Sequence, residues 1–226
     1  MTHLECAVLI VAKTPTPGQA KTRLTPTLSP EEAADLAAAS LLDTLMAVKR
    51  TAVANRIVAL TGDFDRARRS REIIAALKHF TVIPQRGSSF SLRLIDAHAQ
   101  AAALAGVPVL QIGMDTPQVT PELLSDAAET LMRPDVDTVL GPATDGGWWA
   151  LGVSTPDMTL GLTDVVMSRP DTGAMTLSTL RRDNYNVCEL GVLTDVDTIG
   201  DVRVVASEVA EGSQFRAAAG RYVARR

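Results

Sequence analysis

An apolar run, Cys6 to Ala12, breaks off at Lys13 into K-T-P-T-P-G-Q-A-K-T-R-L, and a long Ala- and Leu-rich helical pattern follows. The apolar run reads as a strand buried on both faces. Pro15, Pro17 and Gly18 forbid regular structure after it, because proline lacks a backbone donor and glycine takes dihedrals that other residues avoid. Lys13, Lys21 and Arg23 fall within this short, otherwise almost uncharged loop. Strand, Gly-containing basic loop and helix, in that order, is a common way for an α/β protein to meet phosphate. A solubilising surface loop is the plain alternative.

The rest of the chain keeps the alternation. Ser29-Pro30-Glu31-Glu32 predicts a helix start, with Ser as N-cap, Pro in the first turn and acids beside it. Strands are expected over 56–60, 80–83, 107–112, 137–140, 148–153 and 186–189. Helices are expected over 65–78, 92–105, 121–133, 174–182, 199–210 and 216–226, and a Pro-, Asp- and Thr-rich loop after the sixth strand. Such alternation argues for an α/β fold with a mostly parallel central sheet and helices on both faces. No repeat or low-complexity linker interrupts it, so residues 1–226 are expected to form one domain.

Composition narrows the function classes. The net charge of −4 implies no basic face, so nucleic acid is not an expected partner. Cys6 and Cys188 make no metal-binding spacing, and Cys6 fits a core position. No apolar run reaches membrane-spanning length, and the first lacks the features of a signal peptide. A cytoplasmic protein without membrane insertion is expected. His3, His79 and His98 are scattered, which gives little support to a Ser-His-Asp or zinc site.

In parallel sheets ligands bind beyond the carboxyl ends of the strands. After the fourth strand comes Gly113-Met114-Asp115-Thr116-Pro117, after the fifth Gly141-Pro142-Ala143-Thr144-Asp145-Gly146-Gly147, and after the last Asp195-Val196-Asp197-Thr198. Acids and one basic loop thus converge on one edge, a pattern that suits phosphate with Mg²⁺ or Mn²⁺. Each element also fits an ordinary role: Asp115 as a turn residue, Asp145-Gly146-Gly147 as a hairpin, Asp197-Thr198 as a helix cap.

Taken together, P-x-P-G-x-x-K-T-R-L at 15–24, G-x-D-T-P at 113–117, G-P-A-x-D-G-G at 141–147 and D-V-D-T at 195–198 resemble the DUF2064 family. This is the transferase 1 group associated with radical-SAM/selenodomain proteins. The family is similar to 2-phospholactate guanylyltransferase. The resemblance implies a Rossmann-like GT-A fold, that of the nucleotide-diphospho-sugar transferases. It also implies a nucleotide site formed by Lys13, Gly18, Lys21, Arg23 and Gln85, with Lys21 and Arg23 on the phosphates. Asp115 and Asp197 would hold the metal. Asp145, Gly146, Gly147 and Trp148 would line the acceptor side, with Lys21, Arg23 and Asp145 in catalytic roles. The chain departs from the family pattern in Trp148-Trp149, where two tyrosines are usual, and in Gln85–Ser91, where Ser91 replaces a glycine.

Nucleotidyl transfer from an NTP to a phosphorylated small molecule is the leading expectation. Glycosyl transfer from a nucleotide sugar is the alternative, weakened because position 113 is Gly rather than the first acid of a D-x-D pair. A degenerate nucleotide-binding module is the third. The partners expected are a nucleotide and a small-molecule acceptor, and a homodimer is compatible with the sequence.

Overall fold

In the computed structural model of the protein, the described residues are 3–222. Its core is a seven-stranded sheet of order β3-β2-β1-β4-β6-β5-β7. The strands are β1 (Leu4–Lys13), β2 (Val53–Thr61), β3 (Thr81–Pro84), β4 (Val109–Gly113), β5 (Thr138–Pro142), β6 (Trp148–Val153) and β7 (Val187–Glu189). Every pairing is parallel except the two made by β6, which runs against both β4 and β5. The expected mostly parallel sheet is therefore found.

Side-chain alternation along β1 explains its continuous hydrophobicity. Cys6, Val8, Ile10 and Ala12 face one core layer, and Ala7, Leu9 and Val11 face the other. The first layer is closed by α1 (Pro30–Arg50), α2 (Ser70–Leu77) and α4 (Pro121–Leu131). The second is closed by α3 (Phe90–Ala105) and α5 (Thr172–Arg182). Helices thus cover both faces.

Helix α1 opens on a complete capping box: Ser29 accepts from the Glu32 amide, and the Glu32 carboxylate accepts from the Ser29 amide. Its Leu41, Leu42 and Leu45 pack on the sheet, while Ala33, Leu36 and Ala39 face outward into a third cluster. That cluster joins Leu24 and Leu28 to Val196, to α6 (Ile199–Glu208) and to α7 (Gln214–Tyr222). Small alanines let α1 lie between two packed layers.

Asp35, buried on α1, is held by Arg69 through Nε to Oδ1 at 2.7 Å and NH2 to Oδ2 at 2.9 Å, and by Arg221 and Tyr222. Burial alone would raise its pKa, but the Arg69 bonds and charge, with Tyr222 and Arg221, outweigh it and hold the carboxyl at about 2. Asp43 accepts from the amides of Gln214 and Phe215 and so caps α7.

Some expectations need correction. α2 starts at Ser70, not at 65, because Arg69 takes the left-handed conformation (φ 50°) and Asp63 turns back to accept from the Asp65 amide. The loop expected after β6 contains a 3-10 helix, Pro156–Asp164. Residues 223–226 of the expected last helix lie outside the described residues.

Candidate active site

A cleft of about 610 Å³ opens at the carboxyl ends of β1 and β4. The basic loop forms one wall, and it is not a loose surface loop. Thr14, Pro15 and Thr16 are buried, and Leu24 anchors a 3-10 turn, Thr22–Leu24, in the third cluster. Gly18 provides a left-handed turn (φ 74°) but does not line the cleft. Lys13 does line it, with its ammonium donating to the Gln19 carbonyl at 3.1 Å.

Lys21 is itself left-handed, at φ 49° and ψ 44°. This turn directs its side chain inward. Nζ lies 2.7 Å from Asp115 Oδ2 and 2.8 Å from Asp197 Oδ1. Lys21 is thus a largely enclosed ammonium between the two expected metal ligands. An ammonium in such a place needs carboxylate partners to offset lost hydration. Burial would depress its pKa, but Asp115 and Asp197 outweigh burial and raise it, so it stays protonated. Arg23 NH1 reaches Asp197 Oδ2 at 2.5 Å and remains mostly exposed.

The acids come from two connected segments. Asp115 follows β4, and its carbonyl accepts from the Val196 amide at 3.1 Å. A Cβ on Gly113 would sit 2.7 Å from Asp115 Oδ1, so the glycine leaves room for the carboxylate to fold back. Val196 is buried in the third cluster, which turns Asp195 and Asp197 away from it toward the cleft. Thr198, not Asp197, is the N-cap of α6, so the Asp197 side chain is available to Lys21 and Arg23. Burial pushes its pKa up, but Lys21 and then Arg23 bring it below the ordinary value.

Asp195 is the site residue to which the sequence motifs assign no role. Carboxylate oxygens of Asp115, Asp195 and Asp197 lie within 4.8 Å of one another. Asp195 Oδ1 is buried with no hydrogen-bond partner among the described residues. Burial first, then the charges of Asp115, Asp145 and Asp197, push its pKa up to about 7 against the pull of Lys21. The signal for it is the D-x-D spacing around a valine, which puts both acids on one side of an extended segment. Three carboxylates, one with an unpartnered buried oxygen, form an all-oxygen donor set. Such a set fits Mg²⁺ or Mn²⁺ rather than a softer metal.

The opposite wall is the β5–β6 turn. Asp145 Oδ1 accepts from the Gly147 amide at 2.7 Å, so Asp145 shapes the hairpin while also lining the cleft. Gly147 lines it too, but Gly146 does not. A Cβ on Gly146 (φ 88°) would strike the Pro170 carbonyl, and its own carbonyl accepts from the Gly173 amide at 2.7 Å. Gly146 therefore packs against residues 170–173. Trp148 faces the cleft, and Trp149 points to the other core layer, where Nε1 donates to Gly191 O at 2.9 Å. Gly141 leaves space for that indole. Ser91, at the altered loop, bonds Ser89 and does not line the cleft.

Two glutamines complete the walls. Gln85 lines the cleft after β3. Gln111, on β4, is 2 % exposed, and its Oε1 lies 3.0 Å from His98 Nε2. Burial lowers the His98 pKa to about 4, against the Gln111 bond that raises it.

Comparison with known proteins places the chain by family and by fold. The model of a family described as an uncharacterized protein conserved in bacteria (DUF2064) matches residues 44–169, more than half of the chain. A candidate nucleotide-diphospho-sugar transferase from Desulfovibrio desulfuricans G20 superposes with a TM-score of 0.80 at 26% identity, covering 96% of this chain and 98% of that one. A CMP:2-keto-3-deoxy-manno-octonic acid synthetase complexed with CTP gives 0.56 at 14% identity, covering 89% and 97%. A cytidylyltransferase from Leptospira borgpetersenii gives 0.55 at 15% identity, covering 95% and 92%. These likenesses show a GT-A-like fold. No curated protein matched the sequence significantly.

Proposed function

The chain belongs to the DUF2064 family, and on that premise we propose that it is a metal-dependent transferase acting on a nucleotide, with nucleotidyl transfer from an NTP to a phosphorylated small molecule as its reaction. The observation that carries this reading is Lys21 between Asp115 and Asp197, with Arg23 beside it. Two cations on the same strand-end loop suit a departing pyrophosphate, which needs its charge neutralised. Mg²⁺ or Mn²⁺ held by Asp115, Asp195 and Asp197 would supply Lewis-acid polarisation of the phosphates.

In the reaction, an acceptor phosphate oxygen forms a bond to the α-phosphorus. The bond from that phosphorus to the bridging oxygen breaks, and its electron pair leaves on pyrophosphate. The attacking phosphate is already anionic, so no side chain need take a proton. The work of the protein is positioning and charge stabilisation. Lys21 exchanges its carboxylate partners for phosphate oxygens, and Arg23 swings from the solvent side onto the same group. Trp148 offers an indole face to the acceptor.

Glycosyl transfer is the second reading. It is favoured by the likeness to the Desulfovibrio candidate nucleotide-diphospho-sugar transferase, with Asp145 placed to act as acceptor base. Product analysis separates the two. The enzyme is incubated with Mg²⁺ or Mn²⁺, each NTP or nucleotide sugar, and a panel of phosphorylated small molecules. Pyrophosphate release that is absent in Asp115→Asn supports nucleotidyl transfer. Release of nucleoside diphosphate from a nucleotide sugar, with no pyrophosphate from any NTP, overturns it.

A further inference from the structure

Gln85 reaches from the end of β3 across the ends of two neighbouring strands. Its Nε2 donates to the carbonyl of Ala12 at 2.8 Å and to that of Ala59 at 2.9 Å. These bonds decide which way the amide faces. Turned over, Oε1 would oppose two carbonyl oxygens and both bonds would be lost. Both amide hydrogens are therefore used. Oε1 has no partner among the described residues and is the polar atom this side chain has left on the wall of the cleft. The amide sits on the β1–β2 side of Asp115, and Asp145 and Trp148 sit on the β5–β6 side. With phosphates at Lys21 and Arg23 and the acceptor at Trp148, the nucleoside occupies the Gln85 side. This placement rests on the proposed function.

We infer that Gln85 determines nucleobase specificity: its fixed carbonyl accepts a hydrogen bond from an exocyclic amine, so the chain takes a cytosine, adenine or guanine nucleotide in preference to uracil or hypoxanthine, which lack one. An immobile acceptor facing a keto oxygen leaves both groups desolvated and unpaired, and sites built this way reject the analogue strongly. Uracil offers only a ring N–H flanked by two keto oxygens, which would crowd Oε1.

The test is calorimetric titration of the full chain, with Mg²⁺, using nucleotides that differ at the amine: CTP against UTP, ATP against ITP, and GTP against ITP. The tightest amine-bearing nucleotide should lose about tenfold or more in affinity when its amine is replaced. In Gln85→Met and Gln85→Leu that ratio should fall to within about threefold. Tripolyphosphate, which reports the phosphate half and an intact fold, should bind wild type and variants alike. Equal binding of each pair by wild type overturns the inference, as does a ratio that survives both substitutions. Binding of tripolyphosphate but of no nucleotide brings down the nucleotide reading with it.

Discussion

Lys21 and Arg23, two positions apart in one loop, differ in what they do for the free protein. Arg23 is mostly exposed, and exposed pairs contribute at most about 1 kcal/mol. Arg23→Ala should leave the thermal midpoint unchanged while weakening nucleotide binding by about 1.5–3 kcal/mol, measured by calorimetry. Lys21→Ala should weaken binding similarly and also destabilise the fold, because Asp115 and Asp195 lose the nearby ammonium and Asp197 keeps only the exposed Arg23. Mn²⁺ should then raise the midpoint of Lys21→Ala more than that of wild type, and an equal rise in both would dismiss the metal assignment. The tryptophans make a second contrast. In single-tryptophan variants, ligand should change the fluorescence of Trp148 and leave that of Trp149 unaltered, since only Trp148 faces the cleft. A response from Trp149 alone would reverse that assignment.

At the scale of elements, the α3–β4 contact carries a titratable group. His98 is fully buried with a pKa near 4, below the ordinary histidine value. Between those values the unfolded chain binds a proton that the folded chain refuses, so stability falls as pH drops through this window and is retained above it. From about pH 7.5 to about pH 5 the loss should be on the order of 2 kcal/mol. Urea unfolding should show His98→Leu losing less than wild type over the same interval. Several elements are legible in the sequence through local chemistry. Ser29-Pro30-Glu31-Glu32 marks the start of α1, and the apolar run Trp148–Val153 matches its strand from end to end. What the pattern within a strand does not show is direction. An apolar strand reads alike in either sense, so the antiparallel course of β6 is signalled only by the Asp145-Gly146-Gly147 hairpin pattern that precedes it. The left-handed turns at Lys21 and Arg69 are hidden for a related reason: neither is glycine, and tertiary ion pairs hold them.

At the scale of the whole molecule, the acidic and basic halves of the cleft share a foundation. Leu24 below the basic loop and Val196 between the acids pack into one cluster with α6, α7 and the outer face of α1. Asp35 fastens that arrangement by binding Arg69, Arg221 and Tyr222 together. Asp35→Ala leaves a largely buried guanidinium unpaired and should cost about 3 kcal/mol, measured by urea unfolding. A variant as stable as wild type would show the clamp to be idle. The site is legible in the sequence as a set of residues but not as this assembly, because the contacts that place Asp195 span the chain from Leu24 to Val205. The reversed strand has an engineering consequence. Because β6 leaves the cleft, the chain must climb back to it, and it does so at Met167–Thr172. The returning segment is stitched to the β5–β6 turn where Gly146 meets Pro170 and Gly173. A graft from a relative that replaced only one of these two stretches would bring mismatched surfaces together at Gly146. The pair behaves as a single cassette, to be exchanged whole by anyone retargeting this half of the cleft.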